Sequence, residues 1–316
     1  MTDVSRPEAE ATAAKPFTPD QAFRPPRNQW WDVWDQFRSH RGALLGTLVF
    51  VFIILFVGIG PWIWQVDPGF IDIRSRNQGP SWSNPLGTDQ LGRDMLARMM
   101  YGGRISVAVG LTAMFLGLLI GTLVGVLAGY FRRVDGILMR TTDLFLALPL
   151  LPLLLVMVLL FRDMLARNFG EAAGVFVLIV VAIGITSWMQ TARIVRGDVL
   201  ALKEREYVLA ARSIGTPSRR IVSRHILPNV LSPIMVSATL GIASAIITES
   251  ALSFLGLGFP PDFPTWGRLL FDGRDWIEQY PARVVWPGLF ISLTVLSVNF
   301  IGDGLRDALD PRIRGR

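Results

Sequence analysis

Six long apolar segments, Leu44–Trp64, Ile105–Tyr130, Leu144–Phe161, Ala172–Met189, Val230–Leu257 and Val284–Ile301, constrain this chain more than any other feature. Each can cross a hydrocarbon core about 30 Å thick, where a backbone group left unpaired costs several kcal/mol. Helices satisfy those groups within one segment, so the expectation is an all-α integral membrane protein with six transmembrane helices. Composition agrees: hydrophobic residues make up 51% and charged residues 18%, with a mean hydropathy of +0.42, which is too apolar for a soluble globular domain. Pro149 and Pro152 fall inside the third segment, and a helical bundle is expected to absorb the break there.

Basic residues set the expected orientation. The segments 1–43, 131–143, 190–229 and 302–316 hold 21 of the 31 lysines and arginines, so both termini and the 190–229 connection are expected on the cytoplasmic side. The net charge of +6 is then a membrane-topology signal and requires no nucleic acid as partner, since no segment is long enough to fold into a soluble basic domain. The first 42 residues are too long and too charged for a cleavable signal, and the 21-residue first span exceeds a signal core. Residues 1–28 are rich in Pro, Ala, Glu and Arg, as in disordered tails. Trp30, Trp31, Trp34 and Phe37 follow at helical spacing, which suits a short helix lying in the lipid interface; a linker with incidental aromatics is the alternative.

Between the fourth and fifth apolar segments lies a polar, Arg-rich insert running from Glu206 to Asn229. Gly215 suits a left-handed helix end, Thr216 the next N-cap and Pro217 the first helical position, so the local chemistry reads helix, corner, helix. Ala210 and Ala211 put little side chain on the first arm. Ile221, Val222, His225 and Ile226 share a face of the second, and Leu227-Pro228 is expected to end it.

At these residues the insert resembles the coupling loop of ABC importer permeases, whose pattern runs Glu-Ala-Ala, three residues, Gly, nine residues, Ile, any residue, Leu-Pro. Ala210, Ala211, Gly215, Leu227 and Pro228 match in register, while Leu209 and His225 stand where the pattern has Glu and Ile. Tyr207-Val208-Leu209-Ala210-Ala211-Arg212 and Arg224-His225-Ile226-Leu227-Pro228-Asn229 are similar to runs of the C-type permease subunit of peptide and nickel importers. So are Pro85-Leu86-Gly87-Thr88-Asp89-Gln90-Leu91-Gly92-Arg93-Asp94, the Glu249–Gly258 run, Thr265-Trp266-Gly267 and the Gly302–Pro311 ending. The resemblance covers about residues 40–316. It implies a type-1 permease core over 104–303, preceded by a tail with an interfacial helix (1–42) and a first transmembrane helix with an outer segment (43–103), and followed by a short tail (304–316). It also implies a second permease subunit forming a heterodimer, two ATP-binding subunits, an extracytoplasmic solute-binding protein, and residence in the plasma (inner) membrane. Tyr207, Ala210, Ala211, Arg212, Gly215, Pro217, His225, Leu227 and Pro228 are the residues it assigns to ATPase coupling.

No cofactor or metal is expected. Cysteine is absent, and the two histidines, His40 and His225, show no ligand or triad spacing. Neither lysine, Lys15 nor Lys203, sits in a Gly-Lys-Ser/Thr phosphate loop, so ATP hydrolysis through that motif would have to occur in another subunit. A chain without paired carboxylates in its spans is read as a transporter and not as an enzyme.

Gly117, Gly121, Gly125 and Gly129 recur every four residues and form a small-residue ridge for close helix packing, with a partner helix in this chain favoured over one in another. Glu249 is the lone acid deep in the fifth span, with Ser253 one turn on. It could line the pathway or be a packing acid bonded to neighbours. Arg140 and Asp143 are expected to pair near the start of the third span. The competing reading is an ion-coupled secondary transporter using Glu249, although that class often carries several intramembrane charges and inverted repeats that are not evident here.

Overall fold

The computed structural model describes residues 29–309, and all their regular elements are helices. The expected disorder of residues 1–28 lies outside the described residues. Helix α1 (Gln29–Ser39) meets α2 (Arg41–Gly58) at His40, whose Nδ1 accepts the Ala43 N–H at 3.0 Å and so caps α2. A short turn, α3 (Gly60–Ile63), ends the first crossing, and a largely irregular segment, residues 65–94, leads to α4 (Met95–Tyr130). Asp94 caps α4 by accepting the Ala97 N–H at 2.6 Å.

Helices α5 (Arg132–Ala147) and α6 (Leu150–Phe169) meet at a bend of 88°. This corrects the third span. Leu144–Ala147 belong to the transverse α5, and the apolar helix runs from Leu150 to Phe169 instead of Leu144 to Phe161. Proline is the cause: it drives the preceding Leu148 into an extended conformation (φ −76°, ψ 137°) and breaks the helix there. Pro152 does no harm because it stands in the first turn of α6, where its missing N–H would have had no partner.

Helix α7 (Glu171–Leu202) follows, then the small helices α8 (Glu206–Ser213) and α9 (Ser218–Ile221), α10 (Leu227–Phe254), α11 (Trp266–Gly273) and α12 (Ala282–Leu309). Five helical stretches are long and apolar enough to cross a membrane, and the bent α5–α6 pair makes a sixth. Several outrun the apolar windows of the sequence: α4 begins ten residues earlier than Ile105 and α7 continues to Leu202. The fifth span ends at Phe254, short of Leu257, because Gly256 takes φ +81° and the Leu257 N–H turns back to the Leu252 carbonyl.

The α4–α7 pair is the central seam of the bundle. Gly117, Gly121, Gly125 and Gly129 all lie against α7 of the same chain. A Cβ at Gly121 would stand 2.6 Å from the Trp188 carbonyl, and one at Gly125 would stand 2.6 Å from that of Ala192. Backbone therefore meets backbone directly along this seam, the arrangement small residues permit where lipid removes the hydrophobic drive.

Candidate functional site

The α8–α9 corner is held by backbone bonds at Gly215, which has φ +78°. The Thr216 N–H donates to the Ala211 carbonyl at 3.1 Å and the Gly215 N–H to that of Arg212 at 3.0 Å, closing the helix end as a Schellman motif. The next helix starts one residue later than its sequence signals suggest. Pro217 is the flanking residue (ψ 143°) and Ser218 the first helical one, because an N-cap needs extended ψ and proline satisfies that as well as threonine does.

Leu227-Pro228 does not end the second arm. Val222–Ile226 form a π-turn through which α9 runs into α10, with the Leu227 N–H reaching back to the Val222 carbonyl. Proline removes one donor from the ladder, and the Asn229 side-chain amide supplies another by donating to the His225 carbonyl at 2.7 Å. The corner and the span are thus one continuous rod.

Inward-facing residues of this elbow, Val208, Ala211, Ile221 and Ile226, are buried in a cluster with Val126 of α4, Val195 and Val199 of α7, and Val230. Arg212 lies over the Tyr130 ring at 6.0 Å, and Tyr207 is tilted against His225 with centroids 6.1 Å apart. Ala210, Gly215, Pro217, Leu227 and Pro228 are exposed. At the apex Ile214 is 83% exposed. The elbow thus has an apolar tip and is footed on α4, α7 and α10.

A cavity of about 350 Å³ opens between α4, the α5–α6 bend, α7 and α10. Its polar walls are Thr186, Ser187, Gln190, Thr191, Ser237, Ser244 and Thr248, and no charged residue lines it. Glu249 is not among its walls either. That residue is fully buried between α10, α4 and α11, where Ser253 Oγ donates to it at 2.8 Å and Ser106 Oγ of α4 at 3.1 Å. Ser106 in turn accepts the Trp266 N–H at 3.2 Å, so the carboxyl group joins α4, α10 and α11.

Two ion pairs that sequence spacing did not indicate strap α5 across α7. Arg196 forms a fork with Asp135, one arm at 2.7 Å, and Arg193 pairs with Asp143. The expected Arg140–Asp143 pair is therefore replaced: Asp143 faces α7, and Arg140 is exposed. Partners 50 and 61 residues apart leave no local signature beyond the amphipathic pattern of α5.

Residues 117–315 match the family described as the binding-protein-dependent transport system inner membrane component, and residues 28–80 match the N-terminal TM domain of oligopeptide transport permease C. The chain belongs to this family of ABC importer permeases. The permease is 38% identical, over 99% of its length and 100% of the relative's, to the oligopeptide transport system permease protein OppC of Bacillus subtilis. It is 39% identical to the dipeptide permease DppC of the same organism, covering 93% of this chain and 89% of that one. It is 38% identical to the glutathione transport system permease protein GsiD of Pectobacterium atrosepticum, covering 96% of each. Among solved structures, a chain of the MetNI methionine ABC transporter shares the fold, with a TM-score of 0.55 and 20% identity over 68% of this chain and 96% of that one. The permease is thus a multi-pass membrane component of an ABC importer, a transport protein and not an enzyme, working with ATPase partners and a second permease.

Proposed function

We infer that this permease forms half of a pathway for peptides or similar small solutes, delivered by a solute-binding protein outside and driven by ATPases that grip the Gly215 elbow inside. The observation that carries the solute class is the full-length likeness to oligopeptide and dipeptide permeases. The cavity supports it, since hydroxyls and an amide at Ser187, Gln190, Ser237, Ser244 and Thr248 can exchange hydrogen bonds with peptide groups without favouring one charge. Coupling is supported by the elbow's footing. A push on Ile214 and its neighbours is transmitted through the buried Val208–Ile221–Ile226 cluster to α4 and α7, and along the unbroken α9–α10 rod to the cavity wall. Tyr207, Ala210, Arg212, Pro217, His225, Leu227 and Pro228 belong to that lever, with both termini on its side of the membrane.

Glu249 belongs to packing on this reading, and the ion-coupled alternative receives no support from a buried, hydrogen-bonded carboxyl group that does not line the cavity. The test is uptake of a labelled tripeptide by vesicles containing this permease, its co-purifying partners and a loaded binding protein. Uptake should require ATP inside the ATPase-facing compartment and persist when a protonophore collapses the proton gradient. Uptake that follows the gradient with ATP absent would overturn it.

A further inference from the structure

The segment 65–94 is bound to the membrane helices by a buried knot of charge. Asp89 Oδ1 accepts the N–H groups of Leu91 and Arg93 at 2.8 and 2.9 Å. Its Oδ2 takes Arg93 Nε at 2.6 Å and Arg98 Nη1 at 3.4 Å. Asp272 of α11 takes Arg98 Nη2 at 3.2 Å and lies 2.9 Å from Arg268 Nε. Asp94, the third acid, is used by the α4 cap, Trp64 and Asn84. Arginines 93, 98 and 268 therefore have carboxylate partners, and every carboxylate is already engaged.

Arg283, at the start of α12, is the cation left over. It is 5% exposed and has no ion pair among the described residues; its Nη2 donates only to neutral oxygens, Asn77 Oδ1 at 2.7 Å and the Thr88 carbonyl at 2.8 Å. Its face rests on Tyr280 at 4.4 Å. Arg283 Nη1 and Arg98 Nε are buried donors without a protein acceptor, and Arg98 is 1% exposed. Both residues border one void of about 10 Å³, together with Asp89 and Asp272.

We propose that this void is a binding site for a single monatomic anion, chloride under ordinary conditions, held by Arg283 and Arg98. Charge favours it: Arg93, Arg98, Arg268 and Arg283 have two carboxylates among them, Asp89 and Asp272, since Asp94 is taken up by Ala97, Trp64 and Asn84, and a buried cation without its counter-charge is strongly destabilising. Size limits the ligand to one small particle, because this volume is about that of a single water-sized sphere. Two donors left over by the carboxylates set its place, and an anion there neutralises the knot that holds α4, α11, α12 and the 65–94 segment together.

The experiment is thermal unfolding of the purified, full-length permease with its partners, followed by tryptophan fluorescence in sodium chloride, bromide or gluconate at equal ionic strength. Chloride and bromide should raise Tm by about 2–5 °C over gluconate and reach saturation, and Arg283→Met should lose the halide dependence while the exposed Arg274→Met keeps it. Equal Tm in all three salts, or a halide effect retained by Arg283→Met, would overturn the site. Should Arg283→Met fail to fold, crystals of the wild type grown in bromide decide. An anomalous peak within hydrogen-bonding distance of Arg283 Nη1 and Arg98 Nε upholds the site, and a water there with no anomalous signal removes it.

Discussion

At Gly215 the constraint is on the backbone alone: φ is +78° and no described atom lies within 4 Å of where a Cβ would stand. Valine there incurs left-handed strain on the order of 1–2 kcal/mol without any steric clash, whereas asparagine tolerates the conformation. Gly215→Val should therefore depress transport and solute-stimulated ATPase activity together, with normal insertion, and Gly215→Asn should restore most of both. If the two variants transport equally well, the left-handed corner is not what coupling needs. Glu249 is constrained by its surroundings instead. Glutamine keeps one acceptor and adds a donor, and the hydroxyls of Ser106, Ser250 and Ser253 can rotate to meet it, so Glu249→Gln should retain most ATP-driven uptake. Glu249→Ala leaves those buried hydroxyls unmatched at about 1–3 kcal/mol each, and its thermal unfolding midpoint should fall by several degrees. A Gln variant that assembles normally yet has no uptake would return Glu249 to the pathway.

Among the elements, the α4–α7 seam makes the sharpest packing test. A methyl group at Gly121 would meet the Trp188 carbonyl at 2.6 Å and Thr191 Cβ at 2.7 Å, so Gly121→Ala should force the helices apart at a cost of about 1–3 kcal/mol and lower the yield of folded complex. Gly136, exposed on α5 with no described atom within 4 Å, is the contrast. Gly136→Ala should be neutral or stabilise by about 0.5–1 kcal/mol through helix propensity. Equal thermal stability of both variants would show that the seam is not close-packed. The four-residue glycine period was legible in the sequence because one helix face repeats locally, and so was the corner, whose glycine and proline act on their own backbone. The 88° bend was misread because Pro149 lies in an unbroken apolar run, which hydropathy cannot divide. The π-turn and the Asp135 and Asp143 latches escaped notice for another reason. They depend on which carbonyl or charge a distant helix brings near, and nothing in local spacing records that.

For the whole molecule, α4 sets the scale. It runs 36 residues, about 54 Å at 1.5 Å per residue, well beyond a hydrocarbon core of about 30 Å. The charge knot around Asp89 and Arg98 sits at its first turn, and Tyr130, against which the elbow's Arg212 lies, sits at its last. The knot and the elbow then lie at opposite ends of α4, and from the basic excess around the elbow we propose that its end is the inner one. The native chain has no cysteine, so introduced thiols can report sidedness without background. Thr265 is a poor outer probe because it is fully buried while capping α11; Asp262, exposed in the same connection, is the better position. An impermeant maleimide applied to intact cells should label Asp262→Cys and spare the exposed Ser218→Cys, and permeabilising the cells should make both react. Labelling of Ser218→Cys in intact cells would invert the topology and leave the elbow out of reach of any ATPase that uses cellular ATP.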